Sequence, residues 1–102
     1  MIHVIAAIEL NPGAREKWLE IFRANMPAVQ AENGCIAYNP TVDVETGLSA
    51  QGPARANVVT IMEAWASLAH LQAHLQAPHM CEYRRRVEGL VKSVKLQVLQ
   101  PV

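Results

Sequence analysis

One stretch of the chain, EAWASLAHLQAHLQAPHM at 63–80, holds three of the four histidines together with a glutamate and a tryptophan. Imidazole and carboxylate groups are the side chains that most often bind metal ions or move protons near neutral pH. The stretch could therefore form a metal site, an acid–base site or a helix that carries histidines on its surface. The spacing of its residues helps to decide among these three interpretations.

The histidine spacing only partly suits a metal site. His70 and His74 stand four residues apart, so on one helix their imidazoles could share a metal ion. A third ligand could come from His79 or Glu63. The zinc-protease motif, however, needs a glutamate directly after its first histidine, and Leu71 occupies that position. We therefore expect no metal site, because a histidine pair beside a leucine stripe is more often surface decoration.

Glu63 is a candidate for acid–base chemistry. With Trp65 and Ile61 it alternates onto one face of a predicted strand, which puts a carboxylate among apolar side chains. Burial raises the pKa of such a carboxyl unless a histidine or arginine pairs with it, and a strand carboxylate near a helix histidine can handle protons as a couple. The alternative is a structural Glu63 that caps backbone amides or pairs with an arginine.

His79 follows Pro78, which is welcome in the first turn of a helix. The positive end of the helix favours neutral imidazole there, and a neutral histidine can accept a proton. The alternative is that His79 pins the junction of two helices by hydrogen bonds. Tyr83 and Met80 either line the same space or pack in the core.

Composition limits the partners of the chain. Nine basic residues balance nine acidic ones, so the broad positive field that attracts nucleic acid is missing. The run Arg84–Arg86 could clamp an anion, but on a helix it spreads around the solvated surface. Cys35 and Cys81 show no CxxC spacing, and we expect two reduced, partly buried thiols. No apolar run approaches the roughly 20 residues that cross a bilayer, so we expect a soluble, cytoplasmic protein with no membrane partner.

The elements that must position these residues follow from hydrophobic periodicity and turn signals. Pro27 should bend or restart the first helix near Asn25, and Pro40 should interrupt or bulge the second strand. On the second helix the buried stripe is predicted to be formed by leucines. The predicted strands are 2–10, 35–44, 58–65 and 93–100, with a long loop at 45–57. The predicted helices are 14–32, a second helix capped by Ser67, and a third from Pro78 to about Leu90. The leucine stripe of the second helix consists of Leu68, Leu71 and Leu75.

The order βαββαβ predicts an α+β protein with a four-stranded antiparallel sheet, the ferredoxin-like arrangement, in a single domain over 1–102. Both faces of the first and third strands are apolar: Ile5 and Met62, for example, lie opposite the face that holds Ile61. Two helices can cover only one face. We therefore expect a homodimer in which a second subunit stacks its own sheet on the other face.

The motifs NGCIAY after the first helix, EAW…SL…LQAHL…PHM…Y, and the closing VLQPV resemble the antibiotic biosynthesis monooxygenase domains. These are small dimeric α/β-barrel proteins that include quinol monooxygenases. The resemblance spans nearly the whole chain, and the fold family is better specified than the reaction. The pattern is carried by Glu63, Trp65, Leu71, His74, Pro78, His79 and Tyr83.

The resemblance implies an oxygenase without metal, flavin or other cofactor, in which a small aromatic quinol or phenol reduces O₂ itself. Heme is not expected, because Ile5 and Ala6 stand where heme-degrading members carry an asparagine and no histidine follows His79. Such a protein needs only a pocket and a base. The expected catalytic residues are His74, His79, Glu63 and Trp65, and the expected substrate-binding residues are Tyr83, Met80, Ile61 and Tyr38.

Two other functions are open on sequence grounds. The first is an isomerase or tautomerase of a small carbonyl compound, perhaps a phosphorylated one, in which the same groups shuttle a proton and Arg84–Arg86 binds the anion. The second is a non-catalytic dimer that binds a ligand in a stress response. Oxygen uptake would separate the oxygenase from both.

Overall fold

The computed structural model describes all 102 residues. Its elements are β1 (Ile2–Leu10), α1 (Arg15–Gln30), β2 (Cys35–Thr41), β3 (Val58–Trp65), α2 (Leu68–Gln76), α3 (Pro78–Val87) and β4 (Val91–Leu99). The four strands form one antiparallel sheet in the order β2-β3-β1-β4. The ferredoxin-like α+β fold is therefore confirmed.

The helices cover one face of the sheet, and the core lies between the two layers. Alternation along β1 and β3 buries every second residue, including Ile8 and Ile61, as the strand pattern predicts. Aromatic rings join the layers, because Phe22 of α1 stacks on Tyr38 of β2 with ring centroids 5.2 Å apart. These aromatic rings lie in the core beneath the helices that carry the histidines.

The restart predicted at Pro27 and the irregularity predicted at Pro40 are both absent. Helix α1 continues through Pro27 without a restart, because Pro27 is exposed and the carbonyl that it leaves unpaired can bind water. Strand β2 also runs through Pro40, and its register shift lies instead between Cys35 and Ala37. Since β2 is an edge strand, Pro40 can remove an amide donor without breaking the ladder.

Strand β2 and helix α3 end earlier in the structure than predicted. Strand β2 ends at Thr41 rather than residue 44, and a long connection follows to β3. Arg55 closes this connection through paired contacts with Asp43, Nε to Oδ2 at 2.7 Å and Nη2 to Oδ1 at 2.9 Å. Helix α3 ends at Val87, and β4 begins at Val91.

The buried side of α2 differs from the predicted leucine stripe. Leu71 and His74 are its two buried residues, whereas Leu68 is 50% exposed. Leu75 is also exposed, because the helix turns its imidazole rather than this leucine toward the sheet. On α3, Cys81 is exposed rather than partly buried, while Cys35 is half-buried.

Strand β4 keeps its apolar side open. Val94, Leu96 and Val98 lie on the helix-facing side of the sheet, yet they stay 42–55% exposed. The reason is position: β4 is an edge strand, and the helices pack on β2 and β3. The apolar face of β4 therefore has no covering element in this chain.

The opposite face of the sheet has no layer on it. Ile5 and Met62 are paired neighbours at its centre, and Met62 is 44% exposed. Polar side chains share this face, because Asn39 pairs with Met62 and Gln97 pairs with Ile5. No helix of the protein is both long and apolar enough to span a membrane.

Candidate active site

A cavity of about 530 Å³ lies between the helix-facing side of the sheet and helices α2 and α3. Its volume is within the range of small-molecule sites, and most of its lining is apolar. Its lining includes the exposed side chains of Val94 and Leu96 from β4. It also includes Tyr38, Ile61, Glu63, His74, Met80, Tyr83, Arg84 and Glu88.

Glu63 projects into this cavity from β3, where it pairs with Tyr38 of β2. Its side chain is 8% exposed, and the indole N–H of Trp65 donates a hydrogen bond to Oε1 at 3.0 Å. Burial raises the pKa of the Glu63 carboxyl; the bond from Trp65 opposes this shift, and the charge of Glu32 adds to it. The apolar setting predicted for Glu63 is present, but its partner is an indole rather than a histidine or arginine.

Trp65 lies behind the cavity rather than in its lining. Its side chain is fully buried, and the imidazole of His74 covers it with ring centroids 4.5 Å apart and planes tilted by 32°. Trp65, an expected catalytic residue, therefore presents no free ring surface to a substrate, because the imidazole of His74 covers it. Trp65 contacts the site through Glu63 and His74.

His74 lines the cavity from α2, whose N-terminus Ser67 caps by accepting a bond from the His70 amide. Its Nδ1 lies 2.9 Å from Oε2 of Glu32. Burial lowers the pKa of the imidazole, and the bond and charge of Glu32 partly oppose this shift. His74 is thus favoured in its neutral form at neutral pH.

The contact with Glu32 determines which nitrogen of His74 is free. A carboxylate only accepts hydrogen bonds, so Nδ1 carries the proton and Nε2 keeps its lone pair. Nε2 has no partner in the protein. Among the fully buried polar side-chain atoms, Nε1 of Trp18 is the one that lacks a hydrogen-bond partner. Nε2 of His74 also lacks a partner but is not in that group, so it keeps some contact with accessible space.

His79 lies in the first turn of α3 behind Pro78, as the sequence predicts. It is not part of the cavity lining. Its Nε2 lies 2.7 Å from the same Oε2 of Glu32 that contacts His74. The structure therefore brings His74 and His79 together through a third residue and leaves His79 outside the space where a substrate fits.

Glu32 is the residue of this site that sequence reasoning missed. It lies in the turn after α1 with its side chain 14% exposed, forty-two positions before His74. A usable signal was present, because a glutamate directly after a helix sits near the negative end of the helix dipole, where it needs compensation. Two histidines predicted at one helix junction offer that compensation.

The turn that carries Glu32 is clamped against α2. Gly34 adopts a left-handed φ of +83°, and its carbonyl accepts a bond from the Ala66 amide at 2.8 Å. The ring of His70 fills the space where a Cβ on residue 34 would stand. Nδ1 of His70 bonds to Oγ of Ser67 at 2.7 Å, whereas Nδ1 of His74 bonds to Glu32. The two imidazoles of α2 therefore have different hydrogen-bond partners.

The predicted substrate-binding residues Tyr38, Tyr83, Met80 and Ile61 all line the cavity. Burial raises the pKa of both tyrosines, so their phenol groups stay neutral. Asn25 donates a long contact of 3.5 Å to the sulfur of Met80. The cavity thus offers neutral hydroxyl groups and apolar walls around the carboxyl of Glu63 and the imidazole of His74.

Arg84 is the one member of the basic run in the lining. Its Nη2 donates to the carbonyl of Leu75 at 2.5 Å, which joins the end of α2 to α3. Glu88 lines the cavity nearby, and Arg85 pairs with Glu82 on the surface. No group of three or more His, Cys, Asp or Glu side chains is arranged to hold a metal ion.

Comparison with known proteins gives one consistent result. Residues 1–86 match the family model described as antibiotic biosynthesis monooxygenase. The chain is 44% identical over 103 residues to "Probable quinol monooxygenase YgiN" of Escherichia coli K12, with 99% of this chain and 98% of that protein covered. The protein of the same name from Shigella flexneri matches equally well.

Solved structures agree with these matches. The chain superposes on PA3566 from Pseudomonas aeruginosa with a TM-score of 0.80 at 26% identity, covering 99% of this chain and 93% of that one. Rv0793 from Mycobacterium tuberculosis gives a TM-score of 0.80 at 25% identity, covering 99% and 94%. With its family model, its sequence relatives and its fold in agreement, the chain belongs to the antibiotic biosynthesis monooxygenase family.

Proposed function

We propose that this protein is a cofactor-independent monooxygenase that oxidises a small aromatic quinol or phenol with O₂. The observation that carries the proposal is the free Nε2 of His74 in an apolar cavity, with Nδ1 tied to Glu32. A general base needs an available lone pair and support for the cation that it becomes. The 44% identity to a protein named as a quinol monooxygenase supports the reaction class.

In the proposed reaction, Nε2 of His74 takes a hydroxyl proton from the quinol. The resulting anion passes one electron to O₂, which gives a semiquinone radical and superoxide. These combine through a new C–O bond at a ring carbon, and the proton on His74 moves to the peroxide. Loss of the ring proton with cleavage of the O–O bond then releases water, so one quinol and one O₂ give one hydroxylated quinone and one water.

The walls of the cavity suit this chemistry. Apolar side chains such as Ile61 and Met80 exclude water, which strengthens the attraction between Glu32 and the imidazolium that forms on His74. The neutral phenol groups of Tyr38 and Tyr83 can donate hydrogen bonds to a developing phenolate. Glu63 also lies in the lining, and burial raises the pKa of its carboxyl.

The isomerase alternative gains less support from the cavity. Binding of a phosphorylated substrate needs a free cationic group, and Arg84 is the arginine in the lining. Its guanidinium is joined to the carbonyl of Leu75, and Glu88 brings an opposite charge to the same lining. We therefore place the quinol reaction first.

The active form that we propose is a homodimer joined through the open face of the sheet. Ile5 and Met62 form an apolar centre on this face, and polar residues surround it. An apolar patch with a polar rim is typical of a protein interface. The cavity lies on the other side of the sheet, so each subunit would hold its own site.

Oxygen consumption tests the proposed reaction. The purified protein is incubated with a panel of small hydroquinones, naphthoquinols and phenols in an oxygen electrode, before and after exhaustive chelation. We expect O₂ uptake with at least one quinol, equal uptake after chelation, and a hydroxylated quinone that carries one atom from ¹⁸O₂. Uptake lost with the chelator and restored by one metal, or no uptake with any member of the panel, would contradict the proposal.

A further inference from the structure

The carboxylate of Glu32 holds two histidines through a single oxygen. Oε2 lies 2.9 Å from Nδ1 of His74 and 2.7 Å from Nε2 of His79. The three residues come from three places in the chain: the turn after α1, helix α2 and the first turn of α3. The cluster is therefore the point at which all three helical segments meet beside the cavity.

The geometry fixes the protons on both rings. Because an ionised carboxylate cannot donate, each histidine must present an N–H to it: Nδ1–H from His74 and Nε2–H from His79. For His74 this leaves Nε2 free for the substrate. For His79 it commits Nε2 to Glu32, so this nitrogen is not free to act as a base, and His79 is not part of the cavity lining.

Glu32 needs more than one partner to stay in place. It lies just beyond the C-terminus of α1, where the helix dipole disfavours a carboxylate. The buried carboxyl of Glu63 is close enough to interact unfavourably with the Glu32 carboxylate. The charge of Arg84 on α3 acts on His74, whose pKa it lowers. The N–H of His79 adds a second charge-assisted bond that holds Oε2 toward His74.

We propose that Glu32 and His79 are positioning residues for His74: Glu32 sets the tautomer of the imidazole, and His79 holds the Glu32 carboxylate at the imidazole. The proposal rests on the proposed function, in which His74 is the base. It assigns His79 a role through hydrogen bonding rather than through proton transfer to or from the substrate. Loss of the hydrogen bond, and not loss of the imidazole itself, should therefore reduce turnover.

A pair of substitutions at residue 79 separates the two roles. Gln can donate an N–H from nearly the position of Nε2 but cannot act as a base, whereas Ala removes the donor. We expect H79Q to keep kcat within about twofold of the wild type and H79A to lower kcat by about tenfold with little change in KM. If H79Q falls as far as H79A, the imidazole of His79 is itself required and the positioning role is overturned.

The companion substitution E32Q removes the negative charge that supports the His74 imidazolium. We expect kcat to fall by on the order of 10²-fold while KM changes little. Glu82, an exposed glutamate on α3 that pairs with Arg85, offers the matched control, and E82Q should behave as the wild type. A kcat for E32Q equal to that of E82Q would overturn the role of Glu32.

A measurement on the resting protein keeps this inference separate from the reaction. ¹⁵N NMR of the histidine rings at neutral pH should show His74 protonated at Nδ1 and bare at Nε2 in the wild type and in H79Q. In H79A and E32A, the two tautomers of His74 should mix. A wild-type His74 with its proton on Nε2 would overturn the inference. If His74 shows the expected tautomers but the protein oxidises no quinol, the proposed function is rejected and the positioning role remains.

Discussion

The indole N–H of Trp65 donates a hydrogen bond to the carboxylate of Glu63, two residues earlier on the same face of β3, at 3.0 Å. Both side chains are buried, so the bond satisfies the one polar atom of Trp65 and one oxygen of Glu63. The strand thus carries its own partner for a carboxyl that is otherwise surrounded by apolar groups. Burial still dominates and raises the pKa of Glu63.

Glu63→Gln should stabilise the protein at neutral pH, because the amide oxygen still accepts the Trp65 bond while the buried charge is gone. A carboxyl whose pKa is raised by folding contributes stability that is fully present below its unfolded pKa and is lost as the pH rises through the folded pKa. The melting temperature of E63Q should therefore equal that of the wild type near pH 4.5 and exceed it by a few degrees, roughly 4 °C, at pH 8. Thermal melts across this range check the trend.

The control at the same position is Glu63→Leu, which also removes the charge but leaves the Trp65 N–H without an acceptor. An unsatisfied buried donor costs about 1–3 kcal/mol, so E63L should melt below E63Q at every pH. A constant difference between E63Q and the wild type from pH 4.5 to 8 would mean that burial does not control the ionisation of Glu63.

His74→Ala should lower turnover on a responsive quinol by at least about tenfold. It should also lower the melting temperature by several degrees, because the imidazole is buried against Trp65. His70→Ala should leave turnover nearly unchanged, since His70 bonds to Ser67 and lies outside the cavity lining. Equal effects of the two substitutions on kcat would exclude His74 as the base.

The pH dependence of the wild type follows from the same residue. Burial lowers the pKa of His74 below its ordinary value of 6.5, so the neutral, basic form persists into mildly acidic solution. We expect kcat/KM to stay level at and above pH 6.5 and to fall only at lower pH, as His74 becomes protonated. A decline that begins above pH 7 would show that another group controls the reaction.

The fold could be predicted almost completely from the sequence, because alternation in residues such as Ile8 and Ile61 depends only on the strand period. The joint location of Glu63 and His74 could also be predicted, since Glu63 lies on the strand face that meets the helices and His74 lies on the helix that follows this strand. The stacking of His74 on Trp65 could not, because it depends on the rotation of α2, where an imidazole took the buried place expected for Leu75. The position of Glu32 after α1 gave a signal that it needs a partner, but which partners it has depends on how the end of α1 approaches α2 in space.

Gly34→Ala should destabilise the protein more than Gly13→Ala. Both glycines have left-handed φ angles, +83° and +81°, so each substitution carries backbone strain of about 1–2 kcal/mol. A Cβ at residue 13 meets nothing, whereas one at residue 34 collides with the ring of His70. Denaturant unfolding should show the larger loss for G34A, and a loss equal to that of G13A would mean that the turn after α1 is not clamped against α2.

Met62→Asp should convert the proposed dimer to a monomer without unfolding the chain. In a single chain Met62 is 44% exposed, so the charge is tolerated there, but a stacked second sheet would bury it without a partner. Sedimentation should give twice the 11.2-kDa chain mass for the wild type and a single mass for M62D. Leu48→Asp, at an exposed apolar residue of the loop, is the matched control and should remain dimeric.

The break between α2 and α3 has a consequence for protein engineering. Ala77 adopts an extended conformation before Pro78, so the segment bends between His74 and His79. On one straight helix, residues five positions apart would point about 140° away from each other and could not meet at one oxygen. Replacing Pro78 with a strong helix former would therefore be a poor route to a more stable protein, because a continuous helix would turn one imidazole away from the carboxylate that both now share.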